Sequence, residues 1–575
     1  MEQKKLTGYP SIDKPWLKYY SEEAINAKLP ECTVYEYLWE NNKNHPNDIA
    51  IWYVNHKITY KELFEKIDQC AKAFVALGVM PGEIVTIAMP SIPEALYAVY
   101  ALNKIGAVAN MIHPLAGQQE TVNYLNEVQS RVFLMFTGTW EIVKTALKDT
   151  SMETAVVASP AESLVFPLKQ LYRLKAHEPS LAGVNGVFSW RDFIQHGSST
   201  VLHDIQKDPK EAALISHTGG TTGDPKGVVA SDRNLTALMY QIACNFHYKR
   251  QGRSLVVLPP FVNYSLVEAM MGMLVIGYQV ILIPKYEPEK LSEYIDQYQP
   301  TIILSIPAYW EALLTAKDKK SRDFSSLEQI YYGGEGMSGV TERRINQVLR
   351  AHKSTVELLK GLGSTELGAC ATLSYPDCNP EDSVGVPLVH LNCKIVDPET
   401  GAELSYNQNG EICFSGPTLM LGYYNKPEAT DEVVKVHADG QRWFHTGDIG
   451  YITEDGVIFV TGRIKRIIMT RDKDAQVTKM FPDRIEKALY AHPAVNLCCV
   501  VGVSDKERIN FPKAFVVLKA GYVESQKLTQ AILTVCRNSL PDYMVPDEIE
   551  YRMNLPRTPR GKIDYRALEK EAEKV

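Results

Sequence analysis

A glycine- and threonine-rich stretch is where residue types and spacing first point to chemistry. Residues 216–229 read SHTGGTTGDPKGVV. Glycines let a backbone turn its N–H groups toward an anion, threonine hydroxyls add donors, and Lys226 adds a mobile positive charge. This combination suits a nucleoside triphosphate.

The stretch is not a Walker phosphate-binding loop. That motif places its lysine after a glycine and leads into a helix, whereas here Lys226 precedes Gly227 and Pro225 removes a backbone donor. The flanking residues 212–216 and 227–231 predict short strands. We therefore expect a strand–loop–strand unit whose loop closes on a nucleotide, and a P-loop phosphotransferase is disfavoured.

Five further motifs follow the loop. They are YYGGEGMS (331–338), KGLGSTELGA (360–369), GYYNKPEAT (422–430), WFHTGDIGYITEDGVIFVTGR (443–463) and LPRTPRGKIDYRAL (555–568). In this order and spacing they resemble the adenylate-forming superfamily of acyl-CoA and aryl-CoA synthetases, peptide-synthetase adenylation domains and firefly luciferase. The resemblance covers residues 58–568. It implies that a carboxylate attacks the α-phosphate of ATP, giving acyl-AMP and pyrophosphate, and that a thiol then takes the acyl group.

The resemblance also implies how the triphosphate is held. Both reactants are anions, so the site must screen their repulsion. Thr365 would contact the α-phosphate, and Glu366 would bind magnesium, a hard cation that prefers carboxylate and phosphate oxygens. A turn with a capping hydroxyl is the structural alternative for this pair. The residues implied for the β- and γ-phosphates are Thr218, Gly219, Gly220, Thr221, Thr222, Gly223 and Lys226.

Adenine and ribose contacts are implied in the same way. Gly333, Gly334 and Glu335 match the strip that borders adenine, where absent side chains let the backbone lie against the base. Asp448 would accept hydrogen bonds from both ribose hydroxyls, because a carboxylate has two acceptor oxygens. A structural aspartate in a turn is the alternative. Arg463 would contact the ribose or the phosphates.

The resemblance also implies mechanistic roles for two lysines, Lys465 at the boundary between the domains and Lys562 in the last motif. Lys562, in the PRGK loop, would bridge the substrate carboxylate and the α-phosphate and stabilise the transition state. Lys465 matches the hinge at which the small domain rotates after adenylation. An exposed linker is the alternative for Lys465.

The acyl pocket is implied to draw on residues 260–265 and 305–310. These stretches, with the run around Gly333, are apolar and aromatic and offer no obvious buried cation for a second carboxylate. The HTGGTTG form of the loop and the basic apolar segment near Phe166 favour a medium- or long-chain fatty acid, with an aryl or steroid acid as alternatives. Where many relatives have a gating histidine this chain has a valine, and a leucine replaces the aromatic residue before the GSTE motif. The pocket residues we name are Val262, Asn263, Tyr264 and Trp310.

The sequence leaves two candidates for the thiol that accepts the acyl group. Residues 470–481 contain no glycine and are about five residues longer than in most relatives, in a loop that helps to form the pantetheine channel. A carrier-protein phosphopantetheine is therefore an alternative to CoA. We favour CoA because no carrier domain follows Val575.

These groups must be positioned by a layered α/β structure. Helical and strand-like patterns alternate through the first half, and a shorter α+β pattern restarts at residue 464. We predict a large N-terminal adenylation domain of layered α/β subdomains (1–463) and a small mobile α+β domain (464–575) that carries Lys562.

Composition excludes several classes. The 575 residues contain 61 basic and 68 acidic side chains, a net charge of −7, which implies no general nucleic-acid affinity. The ten cysteines lack any C-x-x-C pair, so we expect free thiols and no metal cluster. No signal peptide is apparent and the longest apolar run, 270–284, is too short to span a bilayer, so we expect a cytoplasmic protein.

The family resemblance assigns no role to residues 159–180. Leucines and Phe166 alternate there with Lys169, Arg173 and Lys175. A surface helix that covers a core seam is one interpretation. A peripheral membrane contact through residues 163–175 is the other.

Three activities remain in competition on the same motifs. An AMP-forming acyl-CoA synthetase with ATP, magnesium and CoA is favoured. An inactive binding protein would predict damage at Lys562, Glu366 or Asp448, which are intact. A luciferase-type oxidoreductase remains as a further alternative.

Overall fold

The computed structural model describes residues 6–144, 146–176, 178–181, 183–218, 225–245, 249–315, 322–557 and 563–573. Two large mixed sheets with helices between and around them form the first part of the chain. A five-stranded sheet follows, and then a small α+β unit. The predicted α/β fold class with a small α+β unit at its end is confirmed.

The first large sheet has eight strands and carries the phosphate-loop hairpin. Its central strands are parallel, and Gly227–Ser231 runs antiparallel to Ala212–His217. In spatial order the strands are Gly422–Tyr423, Gly227–Ser231, Ala212–His217, Val108–Met111, Ile84–Ala88, Val132–Phe136, Thr154–Ala158 and Val187–Ser189.

The second large sheet has nine strands and carries the predicted adenine strip and the GSTE motif. Its parallel centre consists of near-continuous apolar runs, as expected when both faces are covered. The spatial order is Val386–Pro387, Cys370–Leu373, Leu358–Gly363, Gln329–Tyr332, Ile302–Ser305, Arg253–Val256, Gln279–Leu282, Ile49–Tyr53 and His56–Thr59.

Helices cover both sheets, and their starts follow local sequence signals. Thr59 and Glu62 form a reciprocal capping box at the start of Tyr60–Ala76, and Ser189 caps Trp190–His196. The longer helices of this part are Val34–Asn42, Tyr60–Ala76, Pro93–Lys104, Gln118–Val128, Leu168–Lys175, Trp190–His196, Asp232–Asn245, Tyr264–Gly272, Leu291–Tyr298, Pro307–Thr315, Gly339–Ala351 and Pro427–Val433.

The five-stranded sheet supplies the ribose motif. Arg442–Ile452 pairs with Ile458–Arg463 as an antiparallel hairpin, which places Asp448 opposite Arg463. The other strands are Asn392–Val396, Gly410–Ser415 and Val434–Val436.

The terminal unit packs around its own core. Cys498 and Cys499 lie on opposite faces of one strand and belong to separate apolar clusters, as strand alternation predicts. Its strands are Ile468–Arg471, Val477–Met480, Val495–Asp505, Ile509–Leu518 and Glu548–Tyr551, and its helices are Pro482–Tyr490, Gln526–Arg537 and Tyr565–Ala572.

The unplaced segment forms the helix Leu168–Lys175, which has no buried residue. It follows a stretch that is hydrogen-bonded to the core through Pro160 and Ser163. Among the described helices, none is both long and apolar enough to cross a membrane.

Candidate active site

The hairpin between the two phosphate-loop strands closes at Thr218 and Lys226. The Thr218 amide donates to the Lys226 carbonyl at 3.0 Å, and the Lys226 amide donates to the Thr218 hydroxyl at 3.1 Å. Both ends of the loop are therefore fixed by the sheet. The remaining predicted loop residues, Gly219, Gly220, Thr221, Thr222 and Gly223, lie outside the described residues.

A tyrosine that sequence reasoning did not single out connects two of the predicted residues. The Lys226 ammonium lies 4.7 Å from the centre of the Tyr423 ring, and the Tyr423 hydroxyl donates to Oε1 of Glu366 at 2.7 Å. Burial and then the Glu366 charge raise the pKa of Tyr423, so it remains a hydrogen-bond donor. The strand pair Gly422–Tyr423 and Gly227–Ser231 produces this contact.

Glu366 retains acceptor capacity after this bond. It lies with Thr365 in a short 3₁₀ turn directly after the strand Leu358–Gly363. Within the described part of the chain, neither the Thr365 hydroxyl nor Oε2 of Glu366 makes a hydrogen bond. A half-buried carboxylate oxygen next to a hydroxyl matches the donor preference of a magnesium ion.

The predicted adenine strip begins where the neighbouring parallel strand ends. Gln329–Tyr332 and Leu358–Gly363 are parallel neighbours, so Gly333 and Thr365 emerge at the same edge of the sheet. A Cβ at Gly333 would lie 3.2 Å from the carbonyl oxygen of Gly361 and 3.8 Å from the Tyr264 ring. Only glycine fits here without displacing a neighbour.

The residues after Gly333 face outward. Gly334 has φ +82°, a conformation that favours glycine. Gly334 and Glu335 are exposed, whereas Gly333 is buried. The strip is therefore accessible backbone at the rim of the sheet.

The predicted ribose ligand is paired with the predicted arginine. Asp448 is buried, with 6% of its surface exposed, and Oδ1 lies 2.8 Å from Nε of Arg463. The Asp448 amide donates to the Thr446 hydroxyl. This leaves an acidic group at the sheet edge with its charge compensated by one arginine.

A histidine–glutamate pair holds the turn before Asp448. His445 Nδ1 lies 2.7 Å from Oε2 of Glu411, and Oε1 of Glu411 accepts from the Gly447 amide. Cys413 approaches the same imidazole, so Glu411, Cys413 and His445 form a group that could hold a metal ion. Hydrogen bonds account for both oxygens of Glu411, and we assign the group to positioning of the turn.

The predicted hinge lies between two arginines that are fixed to different units. Arg463 is bound to Asp448, whereas Arg466 binds Asp483 at 2.7 Å and Glu486 at 2.6 Å in the terminal unit. Lys465, between them, is exposed.

Cross-contacts between the two parts include exposed ion pairs. Lys479 pairs with Glu399 and Lys487 pairs with Asp382. Such pairs contribute about 0–1 kcal/mol each. They offer little resistance to a rotation.

The terminal unit approaches the adenine strip. Burial raises the pKa of Glu311, as does the nearby Glu335, while Lys519 and Arg557 of the terminal unit lower it. Arg557 also forms a bridge with Ile563 that closes the PRGK loop at its base. Lys562 itself lies outside the described residues.

The predicted acyl residues have different environments. Trp310 is fully buried in a core cluster and donates to the Tyr331 carbonyl at 3.1 Å. Asn263 is buried and accepts from the Ser216 hydroxyl. Val262 is half-buried beside it.

Sequence reasoning left open which residue would supply a gating histidine. The His113 ring lies 4.3 Å from the Phe261 ring, centre to centre, at the end of the strand Val108–Met111. His113 Nδ1 accepts from the Leu115 amide at 2.9 Å. Because Nδ1 is an acceptor here, a neutral His113 carries its proton on Nε2.

Glu268 is a further residue that the sequence analysis did not select. It lies on the helix Tyr264–Gly272, whose turns are of the wide π type. Its exposed fraction is 2%, and its Oε1 has no hydrogen-bond partner in the part of the chain that the structure describes. The spacing of apolar residues in this segment gave no reason to select Glu268.

The glycine-free residues 470–481 form a hairpin. Ile468–Arg471 and Val477–Met480 pair, and Asp472 Oδ1 accepts from two amides in the turn. Ala475 has φ +60°, a conformation that favours glycine. The glycine-free residues therefore form an ordered turn between two paired strands.

Comparisons with known proteins agree with this geometry. Residues 38–424 match the AMP-binding enzyme family, and residues 484–562 match the AMP-binding enzyme C-terminal domain. The chain belongs to the AMP-binding enzymes of the adenylate-forming superfamily, which confirms the resemblance seen in its motifs. Within the superfamily it belongs with the AMP-forming acyl- and aryl-CoA ligases, for which ATP and CoA are substrates.

Individual relatives span nearly the whole chain. A long-chain-fatty-acid–CoA ligase of Bacillus subtilis (strain 168) is 28% identical over 97% of this chain and 98% of its own length. A probable 4-coumarate–CoA ligase 1 of Dictyostelium discoideum is 28% identical over 89% and 90%. The crystal structure of the anthranilate CoA ligase AuaEII with anthranoyl-AMP aligns with TM-score 0.80 at 23% identity, over 96% and 99%, and shows the shared fold.

Proposed function

We propose that this protein is an AMP-forming acyl-CoA synthetase that activates a medium- or long-chain fatty acid. The observation that carries the proposal is the group formed by Lys226, Tyr423 and Glu366. It brings a cation and a fixed donor from the edge of the first sheet to a carboxylate of the second sheet, which emerges at the same edge as the Gly333 strip. An ATP-dependent activation of an anion needs these groups.

The proposed roles follow from position and chemistry. Lys226, with Thr218 and the loop between them, neutralises the β- and γ-phosphates. Gly333 presents backbone to adenine, and Asp448 accepts from the ribose hydroxyls. Thr365 contacts the α-phosphate.

Magnesium fits Glu366 through its free oxygen. The ion would lower the charge on the triphosphate when bound. Tyr423 orients the carboxylate by occupying its other oxygen.

Domain rotation is proposed at Lys465, which separates residues 1–463 from 464–575. In the first orientation Lys562 bridges the substrate carboxylate and the α-phosphate. Rotation withdraws it and admits the thiol of CoA, for which the 468–480 hairpin provides an ordered edge. A carrier-protein thiol is the alternative acceptor.

The acid is tested by pyrophosphate release. We expect saturated fatty acids of graded length to give higher kcat/KM than benzoate or a bile acid. The support is the likeness to long-chain-fatty-acid–CoA ligases of Bacillus subtilis and Salmonella typhimurium, at 28% and 29% identity. Preference for benzoate or for the bile acid would replace the fatty acid with an aryl or steroid acid.

We further propose that residues 163–175 bind an anionic membrane surface. Phe166, Leu171 and Leu174 are 77%, 47% and 79% exposed, beside three basic side chains. The first residue of the segment is fixed to the core, because the Ser163 hydroxyl donates to Glu94 and the Ser163 carbonyl accepts from His56. An anchored base with an exposed apolar and basic tip is typical of interfacial helices.

Vesicle sedimentation tests this contact. We expect binding to phosphatidylcholine vesicles that contain phosphatidylglycerol, and weaker binding without it. The double variant Phe166→Ser/Leu174→Ser should lose binding, whereas Met553→Ser, at a residue 90% exposed elsewhere, should retain it. Equal binding by both variants would contradict the proposal.

A further inference from the structure

The helix Tyr264–Gly272 carries a buried carboxyl group without a partner. Glu268 is 2% exposed, and its Oε1 is fully covered and has no hydrogen-bond partner among the described residues. A buried polar group without a partner destabilises the folded protein, because its lost hydration is not replaced. Neighbouring polar groups on this helix are satisfied; Ser265, for example, donates to the Leu258 carbonyl.

The helix that carries Glu268 borders the predicted nucleotide site. Tyr264 lies about one turn before Glu268, and the Tyr264 ring borders Gly333. Glu268 acts electrostatically on both Tyr264 and Cys370. Cys370 begins the strand that follows the turn of Thr365 and Glu366. Glu268 thus lies on a helix that borders the predicted adenine strip, close to the strand after the GSTE turn, and directly follows the segment 260–265 that we predict to line the acyl pocket.

Among the described residues, no cation pairs with Glu268. Burial raises the pKa of Glu268 well above its usual value, and no lysine, arginine or histidine of the described ranges opposes that effect. The group is therefore neither part of an ion pair nor a satisfied core residue. A fatty-acid pocket lined only by apolar groups would gain from a leucine at this position.

We propose that Glu268 is a specificity-determining residue that binds a hydroxyl or amino group on the tail of the carboxylic acid substrate. This rests on the proposed function and narrows its substrate class from plain fatty acids to acids with a hydrogen-bond donor away from the reacting carboxylate. The donor satisfies the orphaned carboxyl oxygen on binding. An acid without a donor leaves that oxygen unpaired, which is a strong basis for discrimination.

Matched substrate pairs on the wild-type protein test this directly. Pyrophosphate release is measured for palmitate against a series of monohydroxy palmitates, for cinnamate against 4-coumarate, and for benzoate against anthranilate. We expect at least one donor-bearing acid to exceed its parent at least tenfold in kcat/KM. A preference for every parent acid would overturn the inference and leave the synthetase intact. No release with any acid would instead count against the proposed function.

Variants then tie the preference to the residue. Glu268→Leu should abolish or invert the preference, largely by raising kcat/KM for the parent acid. Glu268→Gln should retain the preference for a hydroxyl and lose that for an amine, because a neutral amide cannot compensate an ammonium charge. Equal losses for both members of a pair would overturn the assigned role.

Thermal unfolding provides an independent readout. If Glu268 is kept for a ligand, Glu268→Leu should raise the melting temperature, because it removes an unpaired buried carboxyl. A structural role would produce a fall. A lowered melting temperature together with an unchanged ratio between paired substrates would contradict the proposal.

Discussion

The hydroxyl of Tyr423 donates to Oε1 of Glu366 at 2.7 Å, while its ring faces the ammonium group of Lys226. One side chain thus connects the phosphate-loop hairpin of the first sheet with the GSTE turn of the second. The relative position of the proposed phosphate and metal ligands depends on it.

Tyr423→Phe should lower kcat for adenylation about tenfold, since a hydrogen bond to a charged group contributes about 1.5–3 kcal/mol. The magnesium concentration that gives half-maximal rate should rise. Transfer from preformed acyl-AMP should be unaffected. Tyr424→Phe is the matched control, because the next tyrosine makes no such bond, and equal behaviour of the two variants would contradict the role.

Lys562→Ala should nearly abolish adenylate formation while ATP binding and thiol transfer from preformed acyl-AMP persist. The physical reason is that its charge would act on the transition state of the first step only. Lys570→Ala, at an exposed lysine of the last helix, is the control. Equal loss of both half-reactions would refute the assignment.

Lys465→Pro should impair one half-reaction much more than the other, because proline fixes φ between the anchored Arg463 and Arg466. Lys465→Ala keeps backbone freedom and should reduce neither step more than a few fold. The two half-reactions are assayed separately. Unchanged kinetics in the proline variant would place the hinge elsewhere.

Glu94 should make stability depend on pH. Burial raises the pKa of Glu94 from 4.5 to about 7, against the hydrogen bond from Ser163. The folded state then holds a proton that the unfolded chain releases, so the free energy of unfolding falls as pH rises from about 4.5 to 7, by about 3 kcal/mol at most. Above pH 7 this contribution is constant.

Glu94→Gln keeps an acceptor for Ser163 and removes the titration. The difference in melting temperature, variant minus wild type, should increase between pH 5 and 7 and level off above it. A difference that does not change with pH would show that Glu94 does not titrate in this range.

The motifs predicted the fold class and the order of the site segments because glycines, prolines and charged residues have local meanings. Strand patterns alone predicted the strand–loop–strand unit of residues 212–216 and 227–231, and the structure pairs these strands. Asp448 and Arg463 were both selected, and strand register places them together.

Contacts between distant segments could not be predicted in this way. Tyr423 reaches Glu366 only because a two-residue strand joins the edge of the first sheet. His113 meets Phe261 across 148 residues of sequence, where no spacing rule applies. Glu268 looked like one polar residue in an apolar helix, and only its burial without a partner marks it.

The most direct test of the central claim is pyrophosphate release by the purified protein with ATP, magnesium and its best carboxylic acid, with and without CoA. A CoA ligase predicts multiple turnovers only when CoA is present, with AMP and acyl-CoA formed in equal amounts. Release that stays near one equivalent per enzyme despite CoA would contradict CoA as the acceptor and favour a carrier-protein thiol.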